Sequence, residues 1–166
     1  MVEYLAMSDA FDPADADLSL ASLFAGWAMA DEIQRRLAAG GHEDLRFADG
    51  LVFQHLVGGP VTVSALAGRL GVTQQAVSKS VADLERRGYV RRERDPSDAR
   101  ARLVALSPRG EAAIEAARGH RAALAAELAE RHGPRRVDGA RRLLLDVLRD
   151  LGADTAVRGR RVRPPQ

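Results

Sequence analysis

The sequence predicts a mainly α-helical fold carrying one small β-hairpin, and three observations predict it. Val63, Leu66, Ala67 and Leu70 fall at i, i+3, i+4 and i+7, the apolar stripe of one helix. Gly71 breaks that pattern, Thr73 is placed to cap a second helix with the stripe Val77, Val81 and Leu84, and Gly88 ends it. Two strand candidates, 89–94 and 101–106, then flank Asp95-Pro96-Ser97-Asp98-Ala99-Arg100. Two helices joined by a short glycine turn lay the second helix into a DNA major groove, and a basic hairpin just behind reaches a neighbouring groove. This order of parts is a winged helix-turn-helix, flanked here by helices from both ends of the chain.

Residues 1–17 carry five acids and are expected to form a flexible N-terminal segment. A first helix, 18–39, has the stripe Leu20, Leu23, Phe24 and Trp27 and stops at Gly40-Gly41. A second, 46–57, is expected to bury Phe47, Leu51, Val52 and Leu56 before Gly58-Gly59-Pro60. Beyond the hairpin, Ser107-Pro108 opens a long Ala-rich helix, because Ser caps well and Pro fits the first turn. It ends near His132-Gly133-Pro134. In the last helix Val137, Ala140, Leu144, Val147 and Leu151 step by 3, 4, 3, 4, a coiled-coil-type seam, and Leu143, Leu145 and Leu148 widen it. The organisation expected is a dimerisation helix and linker at 18–45, a DNA-binding region at 46–107, dimerisation helices at 108–152 and a basic flexible tail at 153–166.

Composition narrows the function classes. Cysteine is absent, which excludes disulfides, thiol redox sensing and Cys-ligated zinc. No run of about 20 apolar residues occurs, and the acidic start lacks the basic flank of a secretory signal, so a soluble cytoplasmic protein is expected. Of the 25 basic residues only Lys79 is lysine. A GC-rich genome explains so much Arg and Ala, so placement informs more than count. Between Lys79 and Arg109 stand nine bases and five acids, a local excess of 9 − 5 = +4 against +2 for the whole chain. Such a run is a solvated surface or a footprint for phosphates; behind a helix-turn-helix the footprint is the better reading.

At 100° per residue the second helix of the motif turns Gln75, Lys79 and Arg86 away from its apolar stripe, with Gln74 and Ser78 on the flanks of its N-terminal end. Gln pairs with an adenine edge and Lys with guanine. The DNA-reading candidates are therefore Thr73, Gln74, Gln75, Ser78, Lys79 and Arg86. Thr62 and Ser64 open the preceding helix and suit phosphate, although Thr62 is also a plain N-cap. On the hairpin, Arg94 and Arg102 are placed for phosphates. Arg100 at the tip suits a narrow minor groove, and Asp98 is able to hold its guanidinium.

At these residues the chain resembles the MarR family of bacterial transcription regulators, over about 18–151. The carrying segments are Val61-Thr62-Val63-Ser64-Ala65-Leu66-Ala67, Leu84-Glu85-Arg86-Arg87-Gly88-Tyr89-Val90, Arg94-Asp95-Pro96-Ser97-Asp98-Ala99-Arg100 and Leu106-Ser107-Pro108-Arg109-Gly110. The resemblance implies a homodimer joined through its terminal helices, a minor-groove role for Arg100 and an orienting role for Asp98. It implies a repressor on a pseudo-palindromic operator, released by a small aromatic or acidic effector. A pocket for that effector would involve Trp27, Asp31, Phe47 and Phe53, whose other reading is core or dimer packing. The alternative overall is a winged-helix module that binds protein, or DNA without sequence preference, and answers to no effector. His42, His55, His120 and His132 are scattered, with no pair at i, i+4, so no metal or other cofactor is expected. No phosphate-binding Gly loop, His-Glu-x-x-His or Gly-x-Ser-x-Gly occurs, so no enzyme is expected.

Overall fold

A computed structural model of the chain describes residues 15–95 and 102–153. It divides into two compact units, Met1–Glu32 and Ile33–Gln166. The flexible segment expected at 1–17 and the tail expected at 153–166 lie, apart from 15–17 and 153, outside the described residues.

Helix α1, Leu18–Leu37, begins in the first unit. Asp17 opens it: its carboxylate accepts the Ser19 and Leu20 amides at 2.9 and 3.0 Å, satisfying two of the donors a helix start leaves unpaired. The predicted stripe Leu20, Leu23, Phe24 and Trp27 is exposed along its whole length. Phe24 and Trp27 pack on each other with ring centroids 5.8 Å apart.

In the second unit α1 ends at the buried Leu37, widens into a π-helical turn over Ala38–His42, and leaves helical geometry at Gly41, whose φ is 90°. A side chain is strained there. Helix α2, Asp49–Leu56, starts later than expected, because 43–48 form consecutive turns. That shift corrects its predicted inner face. Phe47 precedes the helix and is 66% exposed, and Leu51 is exposed; Val52 and Leu56 enter the core as expected, joined by Phe53.

Helices α3, Val63–Leu70, and α4, Gln74–Arg86, form the predicted pair. The expected two-stranded hairpin is a three-stranded antiparallel sheet of order β1-β3-β2, from Val61–Thr62, Val90–Arg94 and Arg102–Leu106. Val61 pairs with Val104, and Val90 with Leu106. The extra strand joins the base of the wing to the start of α3. Leu66, Val81, Leu84, Tyr89 and Val104 are fully buried at the centre of the core. Each large aliphatic there contributes about 1.5–3 kcal/mol by leaving water.

Helix α5, Pro108–His132, begins as the sequence predicts: Ser107 Oγ accepts the Gly110 amide at 3.1 Å and Pro108 occupies the first turn. Ala113 and Ile114 seat it on the core. Farther along, Glu127 pairs with Arg36 of α1 at 2.6 Å. Gly133, with φ 88°, turns the chain into α6, Pro134–Asp150. This last helix contains no buried residue, and Leu143, Leu144 and Leu145 are exposed on it, as is Leu151 just beyond.

Candidate nucleic-acid interface

The helix-turn-helix is set by two threonines and a glycine. Thr62 Oγ1 accepts the Ala65 amide at 3.1 Å and Thr73 Oγ1 the Ala76 amide at 3.2 Å, so both hydroxyls are N-caps. Between them Gly71 takes φ 62°, and its amide returns to the Ala67 carbonyl at 2.7 Å. That left-handed residue closes α3 and redirects the chain. Val77, Val81 and Leu84 then point inward, as predicted, and Thr73, Gln74, Gln75, Ser78, Lys79 and Arg86 are all exposed. Thr62 is half-buried, and its hydroxyl lies 3.0 Å from that of the exposed Ser64.

The basic run from Lys79 to Arg109 separates into two kinds of residue. Arg86 pairs with Asp83, Arg91 donates to the Leu106 carbonyl, and Arg92 lies 3.3 Å from Glu85. Arg87 and Arg109 are held by internal acceptors. Lys79, Arg94 and Arg102 make no ion pair with another described residue. Arg100, with Asp98, lies outside the described residues. Arg94 and Arg102 are direct cross-strand partners, both exposed. Like charges in that position oppose each other, so the base of the wing attracts an anion.

A polar junction lies behind α4, and sequence reasoning missed it. Arg87 Nη1 donates to the Asp44 carbonyl at 2.6 Å and to Asp49 Oδ2 at 2.8 Å. Its Nη2 reaches Asp49 Oδ1 at 3.1 Å and Asp83 at 2.9 Å. Arg87 and Asp49 side chains are only 9% and 11% exposed. The Tyr89 hydroxyl donates to Asp44 at 2.7 Å and lies 3.3 Å from His42 Nδ1. Arg109 donates to the same Asp44 oxygen at 3.0 Å and to the Arg87 carbonyl at 2.7 Å, with its guanidinium 4.4 Å from the Tyr89 ring centre. Burial, and then the Asp44 carboxylate, push the Tyr89 phenol up to about 12. The Tyr89 hydrogen bond, helped by Arg109, holds Asp44 below the usual carboxylate range. Asp49 holds the Arg87 proton more firmly still. Three acids at 44, 49 and 83 around two arginines carry no periodic signal; only the spacing of acid and Arg on α4 was visible.

Of the residues considered for an effector, Trp27 is 61% exposed and Asp31 is exposed in the first unit. In the second, Phe47 is exposed and Phe53 belongs to the core, its ring 5.8 Å from that of Tyr89. A groove of about 580 Å³ lies elsewhere in that unit, lined among others by Leu56, Pro60, Arg91, Leu106, Ile114 and Arg118.

Residues 43–101, which hold the capped helix pair and the start of the wing, match the family model described as MarR family. That segment of the chain is similar to the MarR family. No curated protein matches the chain. Solved structures do. RV1404 from Mycobacterium tuberculosis is 23% identical with TM-score 0.70, the match covering 81% of this chain and 94% of that one. The transcriptional regulator Tm0710 from Thermotoga maritima is 25% identical with TM-score 0.57, over 82% and 91% of the two chains. Streptococcus pneumoniae FabT, solved in complex with DNA, is 21% identical with TM-score 0.62, over 81% and 93%. These likenesses support the winged-helix architecture for the chain. Among its described residues, no helix is long and apolar enough to cross a membrane.

Proposed function

We propose that the chain is a homodimeric, cytoplasmic transcription regulator that binds duplex DNA in a sequence-specific way. It acts as a repressor on a pseudo-palindromic operator and has no catalytic activity. The observation that carries this reading is the sorting of the basic run. Within that run, the described cations without an internal partner are Lys79, on the exposed side of α4, and Arg94 and Arg102, at the base of the wing. The polar, exposed N-terminal end of α4 supports base reading by Gln74, Gln75 and Ser78, with Thr73, Thr62 and Ser64 near phosphates and Arg86 sharing its charge with Asp83. Arg100, oriented by Asp98, takes the minor groove. The DNA complex of FabT is a fold-level precedent. The homodimer is supported by the uncovered apolar faces of α1 and α6. A small aromatic or acidic effector releasing the DNA is part of the reading.

The deciding experiment is selection of bound sites from a random duplex pool. The expected product is an inverted repeat with half-site centres about one helical turn apart. A pool that stays random, with equal affinity for every duplex, rejects sequence-specific binding in favour of a non-specific or protein-binding module.

A further inference from the structure

The junction behind α4 does more than bury charge. The apolar stripe Val77, Val81 and Leu84 attaches α4 to the core, but apolar contact is non-directional and tolerates rotation. Direction enters at the C-terminal end. There the planar Arg87 fork spans the carboxylate of Asp49, the backbone of Asp44 and the Asp83 carboxylate of its own helix. Arg109 arrives from α5 and takes the Arg87 carbonyl and Asp44, stacked on Tyr89. The Ser107 amide donates to the Tyr89 carbonyl at 3.0 Å, and Ser107 Oγ donates to that of Gly88. Three segments, 44–49, 83–89 and 107–110, therefore meet in one joint with fixed donor and acceptor directions. Replacing a buried pair such as Arg87 and Asp49 by apolar side chains often costs nothing in stability, so what the joint adds is direction rather than energy.

We propose that Arg87, Asp49 and Arg109 are positioning residues that fix the angle at which α4 leaves the fold, and thereby where its reading end lies. The lever is long. The 13 residues of α4 span roughly 20 Å at 1.5 Å per residue, so a tilt of about 5° at the joint moves the far end by about 1.7 Å, enough to break a hydrogen bond. Gln74, Gln75 and Ser78 sit at that far end. The DNA consequence rests on the function proposed above; the angular one does not.

The absence of native cysteine allows a direct test. Spin labels placed by Ala76→Cys and Arg121→Cys, with labelled chains diluted in unlabelled protein, report the α4-to-α5 distance within one chain. The parent should give a narrow distribution. Asp49→Asn, Arg109→Gln and Arg87→Lys should each broaden or shift it while helicity by circular dichroism is kept. Arg87→Lys separates the roles: it keeps the charge and loses the fork, so full rescue by Lys would overturn a geometric role. In the same variants without labels, affinity for the selected duplex should fall about tenfold or more, the worth of a hydrogen bond to a charged group, with random-duplex affinity nearly unchanged. Should Asp49→Asn fail to fold, the half-exposed Arg109 still decides the matter. A distribution in Arg109→Gln as narrow as the parent's, at the same distance, overturns the joint. A parent that selects no duplex overturns the DNA reading alone, because the distances still decide the joint.

Discussion

Gly110→Ala tests how tightly α5 is docked on the end of α4. Two effects oppose each other. Gly110 lies in the first turn of a 25-residue helix, where Ala is favoured over Gly by up to about 1 kcal/mol. A Cβ built at Gly110, however, would lie 2.1 Å from the Tyr89 carbonyl oxygen and 3.2 Å from a Leu106 methyl. The first obstacle is backbone, held in place because that carbonyl accepts the Ser107 amide at 3.0 Å. Relief requires the start of α5 to retreat by about 1 Å, which costs the upper part of the 1–3 kcal/mol typical of overpacking. The retreat also weakens the Ser107 cap, a further loss of about 1 kcal/mol. Set against the propensity gain, the net loss is about 2–3 kcal/mol. For a chain of this size that lowers Tm by roughly 5–10 °C. The assay is thermal and urea unfolding at one fixed protomer concentration, so that any association is held constant. An Ala variant as stable as the parent, or more so, would refute the reasoning, since propensity would then have won and the contact with Tyr89 would be compliant.

Other perturbations follow the same logic. Leu144→Asp places a charge on the uncovered face of α6 and should yield monomer or unfolded chain; light scattering checks it, and a parent that is itself monodisperse monomer at micromolar concentration rejects the dimer. The Tyr89 proton should make the protein lose stability at high pH. Below the ordinary phenol value of 10 both states hold the proton, and between 10 and about 12 the unfolded state releases it first, a loss of about 3 kcal/mol at the top of that window. Tyr89→Phe should abolish this loss. It should also shrink the acid loss as pH falls below the carboxylate range, because Tyr89 is the main group holding Asp44 ionised; alkaline and acid denaturation midpoints unchanged by the substitution would contradict both. Lys79→Ala should weaken binding to the selected duplex more than to random duplex, and equal losses, with the salt slope reduced by about one unit, would make Lys79 a phosphate contact. Arg100→Ala should lose most affinity on A·T-rich flanks, with Asp98→Ala giving part of the same loss and a non-additive double variant; undiminished binding by Arg100→Ala would make the wing an ordinary hairpin.

Much of the fold was legible because its punctuation is chemical. Gly71, Gly88, Ser107-Pro108 and Gly133-Pro134 each mark a boundary the structure keeps. The inward face of α4 was legible for the same reason, as three apolar residues at helical spacing admit one azimuth. Strand β1 was not, since two residues, Val61 and Thr62, show no alternation and form a strand only once β3 lies beside them. Phe47 misled because hydrophobicity marks which residues prefer burial, whereas the helix start at Asp49 decides which of them are turned inward. The basic run misled differently. A guanidinium bound for phosphate and one bound for a buried carboxylate look alike in sequence, and Asp44, Asp49 and Asp83 reveal the difference only after folding brings them to Arg87 and Arg109.

The position of β3 in the middle of its sheet has an evolutionary consequence. With β1 on one side and β2 on the other, its register is fixed by Val61 and Thr62 as well as by its hairpin partner. The connection between Arg94 and Arg102 is therefore not needed to align the strands. Doubling its length would cost only about 0.6 kcal/mol in closure entropy. The sequence and reach of that tip can diverge between descendants while the core beneath it stays the same, which lets the wing follow a changing target at little cost to the fold.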